Sequence, residues 1–128
     1  MSDKKNSIVI FDDDKTSLSL LTEILGESYT VYSELDGTKC HEIAIKLKPD
    51  LILLDIIMPD MSGFDVIKTL KESEETKDIP VIFVTNLTGP DEEDRGLSLG
   101  AVDYIKKPFD AKVVKERVSA QMKIIKQR

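Results

Sequence analysis

Four apolar runs in this chain end on polar residues whose types could act together: Asp12 and Asp13, Asp55, Thr85 and Lys107. Each run is short. Leu51-Ile52-Leu53-Leu54 is the clearest, and it reads as a strand buried on both faces of a parallel sheet. In an open sheet covered by helices, the carboxyl ends of the strands lie along one edge, where ligands bind. Carboxylates gathered there repel one another unless a cation sits among them. Oxygen ligands from a few side chains, with water completing the shell, suit Mg2+. The Lys107 ammonium and the Thr85 hydroxyl are then available for the oxygens of a phosphoryl group. A carboxylate in that setting can itself be the nucleophile and become an aspartyl phosphate. Asp55 is the candidate, because Pro59 stops a helix from starting at once and leaves Asp55 on an irregular loop with no helix to cap.

Each of these residues also has a plainer role. Asp14 is read as a helix N-cap and not as part of the site. Thr85 alone suits a strand-end hydroxyl bonded to its own backbone, and Lys106 is a surface lysine. His41, beside Cys40, is read as a solvated surface histidine, and Phe109 as core. The weight of the reading rests on Asp12, Asp13, Asp55, Thr85 and Lys107 occurring together, each at a strand end.

The elements that must position them follow from periodicity. Strands are expected over 7–11, 29–33, 51–54, 80–84 and 101–105. Helices are expected over 15–25, closed by Gly26, from about 37 to 47, from 64 to about 73, over 91–99, and from about 110 to the end. The segment 91–99 is the poorest helix former, since Gly96 costs about 1 kcal/mol relative to alanine. Its opening acids do suit the positive end of a helix dipole. Five alternations of strand and helix define an α/β fold with helices on both faces of a parallel sheet.

Composition limits the function. At 128 residues the chain forms one domain, long enough to bury about two-thirds of its unfolded surface. A formal net charge of −6 argues against nucleic-acid binding by this domain alone. The lone Cys40 excludes an internal disulfide and fits a reducing compartment. No apolar run approaches the roughly 20 residues needed to cross a bilayer, and the start of the chain lacks a signal-peptide core. A cytoplasmic protein with no membrane partner is expected.

Taken in order, the chain resembles the receiver domain of two-component response regulators over about residues 6–121. The likeness is carried by Asp12-Asp13, Asp55, Pro59-Asp60-Met61-Ser62-Gly63, Thr85, and Gly100-Ala101-Val102-Asp103-Tyr104-Ile105-Lys106-Lys107-Pro108-Phe109. The resemblance implies a flavodoxin-like doubly wound (βα)5 fold with strand order 2-1-3-4-5. It implies that Asp55 accepts a phosphoryl group from a histidine kinase or a histidine phosphotransfer protein. Asp12, Asp13, Asp55 and the backbone carbonyl of Ile57 would hold Mg2+. Lys107 and Thr85 would bind phosphoryl oxygens, and Tyr104 would change rotamer as Thr85 moves. Lys107-Pro108 would be cis. Phosphorylation would shift the face made by the fourth helix, fifth strand and fifth helix between two states, and a homodimer through that face is one form to test. The domain would be a switch and not an enzyme, beyond its own phosphorylation and slow dephosphorylation.

Two features bear on how the family's chemistry would run here. Asn86 stands where a small residue is common and could crowd the phosphoryl site or bond to it. Ile57 and Leu87 flank the site and are both apolar, so neither can orient an attacking water. Slow loss of the phosphoryl group is therefore expected.

The same residues fit other readings. Asp12-Asp13-Asp14-Lys15-Thr16 fits the D-x-D-x-T signature of haloacid-dehalogenase-like phosphatases, with Asp12 as nucleophile and Asp14 as general acid. That family needs an acidic pair beyond the lysine, where only Asp110 and Glu116 stand, and it leaves Asp55 unexplained. A receiver used purely as an interaction module is the third reading, and Asn86 is its one support. As for organisation, 1–6 reads as a polar tail, 7–121 as the receiver domain, and 122–128 as the end of the last helix. The chain has no room for an output domain, so it is either a single-domain regulator or part of a longer protein. Val118, Met122 and Ile125 continue an apolar spacing that fits a coiled-coil seam running into a linker, or a helix packed on the sheet.

Overall fold

The structure is a computed structural model that describes residues 6–59, 61–87 and 89–126. Most of the expected 1–6 tail, the Asp60 position of the Pro59–Gly63 loop and the last two residues of the final helix lie outside the described residues.

Five parallel strands form one sheet in the order β2-β1-β3-β4-β5. They are β1 (Ser7–Phe11), β2 (Thr30–Glu34), β3 (Leu51–Leu54), β4 (Val81–Thr85) and β5 (Asp103–Lys106). The helices are α1 (Lys15–Leu25), α2 (Cys40–Leu47), α3 (Gly63–Glu72), α4 (Pro90–Ser98) and α5 (Ala111–Lys126), with a 3-10 turn at Gly37–Lys39 ahead of α2.

The central strands are buried on both faces because their side chains alternate between two cores. Val9, Phe11, Ile52, Leu54, Val81 and Phe83 join residues of α2 and α3 on one side. Ile8, Ile10, Leu51, Leu53, Ile82 and Val84 join α1 and α5 on the other. An unbroken aliphatic strand is thus what a doubly covered parallel sheet requires. The ladder also fixes the site. Phe11 pairs with Leu54, so Asp12 and Asp55 leave neighbouring strands at one level. Thr85 pairs with Lys106, one residue before Lys107.

Several boundaries differ from expectation. β5 begins at Asp103 and not at Ala101. Gly100 turns the chain at φ +113, and the Ala101 N–H still donates to the Gly96 carbonyl, so these residues finish the turn out of α4. Val102 is apolar yet 41% exposed. α4 begins at Pro90, where the first helical residue has no N–H to lose. Gly26 closes α1 in a right-handed conformation, so it provides no left-handed cap. His41 is not solvated as expected: it is half-buried, and its Nε2 is shielded without a hydrogen-bond partner. Phe109 is half-buried against the α1–α5 core. Val118 and Met122 are buried in that core and Ile125 packs against it, so this spacing packs on the sheet and does not form a free seam.

The left-handed cap sits instead at Lys48, which ends α2 with φ 46. A Cβ is strained there and glycine is not. Lys48→Gly is expected to raise stability by about 0.5 kcal/mol. A shift of the urea midpoint at unchanged slope would measure it, and a lowered midpoint would contradict it.

Candidate functional site

The carboxyl ends of β1, β3 and β5 meet at a small polar pocket. Asp12 and Asp55 are buried there, while Asp13 is exposed at its rim. One carboxylate oxygen from each of the three lies within 4.8 Å of the others. Lys107 reaches in from the end of β5. Its Nζ donates to Asp55 Oδ2 at 2.9 Å and forms an ion pair with Asp12 Oδ2 at 2.7 Å. The peptide bond that follows it, Lys107-Pro108, is cis, as the resemblance implied.

Local backbone holds the carboxylates. The Asp14 N–H donates to Asp12 Oδ1 at 3.0 Å, and the Ile57 N–H donates to Asp55 Oδ1 at 3.2 Å. Asp12 Oδ2 is buried and has no hydrogen bond of good geometry, only the ion pair with Lys107. Burial, with the neighbouring Asp55 charge adding to it, raises the Asp12 carboxyl to about 6, against the pull of Lys107 and of the Asp14 N–H. Lys107 moves the other way. Burial alone would lower it, but its close contacts with the Asp12 and Asp55 carboxylates prevail and hold the ammonium above its ordinary value.

The donor set fits a divalent cation. Two buried carboxylates, bridged by Lys107, stand with a third at the rim, one oxygen of each within 4.8 Å of the others, and hard oxygen donors are what Mg2+ takes. Asp12, Asp13 and Asp55 are the side chains that would hold it. Ile57 lies on the same loop with its side chain 55% exposed.

The other expected residues surround the pocket. Thr85 is fully buried, and its hydroxyl accepts the Leu87 N–H at 3.2 Å. Tyr104 is buried and donates its hydroxyl to the Leu87 carbonyl; burial is the main reason its phenol rises to about 12. Leu87 is half-buried against the α2–α3 core. Asn86 is exposed, with no hydrogen bond to the pocket among the described residues. Asp14 is the α1 cap, accepting from the Thr16 N–H and the Ser17 hydroxyl.

Sequence reasoning quoted Gly63 as part of a motif but gave it no task. It is where α3 starts against the Asp55 loop. A Cβ there would lie 2.6 Å from Ile56 Cα, and the Gly63 N–H donates to the Ile56 carbonyl at 2.7 Å. A glycine at a helix start after an irregular loop is the signal that could have shown it.

A doubly wound sheet with three acids and a lysine at its switch point defines the receiver class. The comparisons agree: residues 8–119 match the response regulator receiver domain, and the chain belongs to that family. It is 38% identical over 116 residues to a probable cyclic di-GMP phosphodiesterase of Vibrio cholerae, covering 91% of this chain and 26% of that protein. It is 39% identical over 119 residues to the DNA-binding dual master transcriptional regulator RpaA of Synechocystis, covering 91% of this chain and 48% of that one. A solved signal receiver domain of a signal transduction histidine kinase from Syntrophus aciditrophicus superposes with a TM-score of 0.86 at 31% identity, covering 96% of this chain and 94% of that one. The chain spans 26% and 48% of the lengths of the two curated relatives named. It is thus a receiver domain of two-component signalling, in the order β2-β1-β3-β4-β5 that the resemblance implied.

Proposed function

We propose that Asp55 is the phosphoacceptor of this receiver, taking a phosphoryl group from a phosphohistidine on a histidine kinase or phosphotransfer protein. The observation that carries this is Lys107 bridging the buried carboxylates of Asp55 and Asp12 at the strand ends, with Asp13 beside them. In the reaction an Asp55 carboxylate oxygen attacks phosphorus, the P–N bond breaks, and the imidazole leaves with its electron pair and takes a proton. Mg2+, held by Asp12, Asp13, Asp55 and the Ile57 carbonyl, would offset charge on the phosphoryl oxygens. Lys107 exchanges its bond to Asp55 Oδ2 for a phosphoryl oxygen. Thr85 gives up its contact with the Leu87 N–H and donates its hydroxyl to another. Leu87 also accepts from Tyr104, so that exchange moves the loop on which Tyr104 is anchored.

Intact mass after incubation with acetyl phosphate tests this directly. One phosphoryl adduct is expected with Mg2+, none without it, and none in Asp55→Ala. An adduct that persists in Asp55→Ala would overturn the assignment. The phosphatase reading is disfavoured because Asp14, its general acid, is committed to the Thr16 N–H and the Ser17 hydroxyl. The interaction-module reading rests on Asn86 alone and expects no adduct under any condition.

The domain acts as a switch in the cytoplasm and not as a turnover enzyme. No helix among the described residues is long and apolar enough to cross a membrane. Residues 7–121 are proposed as the switch unit, with 1–6 as a tail and 122–128 as the end of the last helix. Its output face is α4, β5 and α5, which enclose a groove of about 510 Å3 and leave Leu97 and Val113 exposed. Sedimentation with and without beryllofluoride would test whether a second copy covers it.

Exposed Ile57 and half-buried Leu87 offer a water no hydrogen bond from their side chains. Ile57→Asn with Leu87→Glu is expected to shorten the phosphoprotein's lifetime by about ten-fold, within the range that positioning a nucleophile supplies. An unchanged decay of the adduct mass would remove that explanation.

A further inference from the structure

α4 has little of its own to hold it in place. Gly96 is its one buried residue among those described, and Leu97 is 48% exposed. What lies beneath Gly96 is a column of rings. Phe64 of α3 meets Phe83 of β4 edge-on, with centroids 5.7 Å apart and planes at 77°. Phe83 meets Tyr104 of β5 in the same manner, at 5.9 Å and 61°. Both spacings lie in the favourable range for aromatic pairs. α4 closes this column at two adjacent points. A Cβ at Gly96 would lie 2.9 Å from Phe83 Cε2 and 3.5 Å from Tyr104 Cε2, so only hydrogen fits there. The Arg95 guanidinium carbon lies 4.3 Å from the Phe64 ring centroid, within cation–π range.

The far end of the column leads back to the site. The Tyr104 hydroxyl donates to the Leu87 carbonyl, and the Leu87 N–H donates to Thr85. Phe64 directly follows Gly63, whose backbone rests on the Asp55 loop. If Tyr104 swung outward, Phe83 and the α4 backbone would lose a packing partner that no side chain of α4 can replace. Seating of α4 and burial of Tyr104 are therefore one coordinate. A glycine inside a helix sacrifices helical propensity, which this close approach explains.

We propose that Arg95 and Gly96 are positioning residues that seat α4 on the Phe64–Phe83–Tyr104 column and so favour the buried rotamer of Tyr104 before any phosphoryl group arrives. The inference rests on the switch reading above and adds the device that sets its resting balance.

The test uses the full chain carrying 3-fluorotyrosine, with the Tyr104 fluorine signal assigned by Tyr104→Phe. Arg95→Gln is expected to shift the balance toward the exposed ring by roughly two- to five-fold, the population ratio that an exposed cation–π contact supports. Arg95→Lys, which keeps the cation, should retain most of the buried signal. Gly96→Ala, whose methyl would lie 2.9 Å from the Phe83 ring edge, is expected to shift it further. A Tyr104 signal that stays at its parental position in folded Arg95→Gln would overturn the proposal. So would Arg95→Lys behaving like Arg95→Gln. Because Arg95 is exposed, its variants decide the matter even if Gly96→Ala fails to fold. Phosphorylation of the same samples by acetyl phosphate separates the two readings. An Asp55 adduct with an unmoved Tyr104 signal removes only the α4 seat, whereas a parent protein that takes no adduct removes the switch beneath it.

Discussion

Gly63→Ala is expected to lower the stability of this domain by about 2–3 kcal/mol and to slow phosphoryl acceptance at Asp55 by ten-fold or more. The reason is where the added methyl would go. It would lie 2.6 Å from Ile56 Cα, which is backbone and cannot rotate aside. Overpacking of this kind costs about 1–3 kcal/mol even where side chains can yield. Here either α3 or the Asp55 loop must withdraw, and the 2.7 Å bond from the Gly63 N–H to the Ile56 carbonyl stretches in both cases. A shift of about 1 Å in the nucleophile can cost a hundred-fold in rate, so the loss of function should exceed what partial unfolding explains. The urea midpoint gives the stability term, and the rate of adduct formation far below that midpoint gives the positioning term. A parental rate in a destabilised but folded variant would show that Gly63 supports only the fold.

The same glycine marks where reading the sequence stopped short. The apolar runs made the strands legible, because a strand covered on both faces can hold nothing else. The residues behind those runs, Asp12, Asp55, Thr85 and Lys107, were legible as strand-end groups for the same reason. Boundaries fared worse where apolar type and pairing part company. Ala101 and Val102 look like strand, yet the turn after α4 uses them, and β5 starts at Asp103. His41 reads in sequence as a surface residue, but its ring is half-buried with Nε2 shielded, which the spacing along α2 does not reveal. The aromatic column was hidden more deeply. Phe64, Phe83 and Tyr104 stand on three different elements, and no periodicity in one dimension brings them together. The strand order was adopted from the resemblance, since alternation of elements alone does not fix it.

Asp12→Asn should separate the two demands on the site by moving stability and function in opposite directions. Burial holds the Asp12 carboxyl at about 6 in the folded chain, against an ordinary value of 3.8. A carboxyl whose folded value is raised favours folding fully below its unfolded value. That contribution is then lost as pH rises from about 4 through about 6. At neutral pH the ionised Asp12 is therefore a burden on the metal-free domain. After discounting for water at the mouth of the pocket, that burden is about 1–2 kcal/mol. Asparagine can still accept the Asp14 N–H, and Lys107 keeps Asp55 as its partner. The variant is therefore expected to unfold at higher urea than the parent in EDTA at pH 7.5. The gap should close as pH falls below about 4, where Asp12 is neutral in both folded and unfolded chains. Mg2+ should narrow or reverse the order, because a ligand that binds the folded state stabilises the parent in proportion to its occupancy. The variant should also fail to form the Mg2+-dependent adduct at Asp55. Urea curves at three pH values, with and without Mg2+, measure all of this. A variant less stable than the parent in EDTA at pH 7.5 would mean that the Lys107 ion pair outweighs the burial of Asp12. On the expected result, Asp12 is retained for the cation and the phosphoryl group and not for the fold.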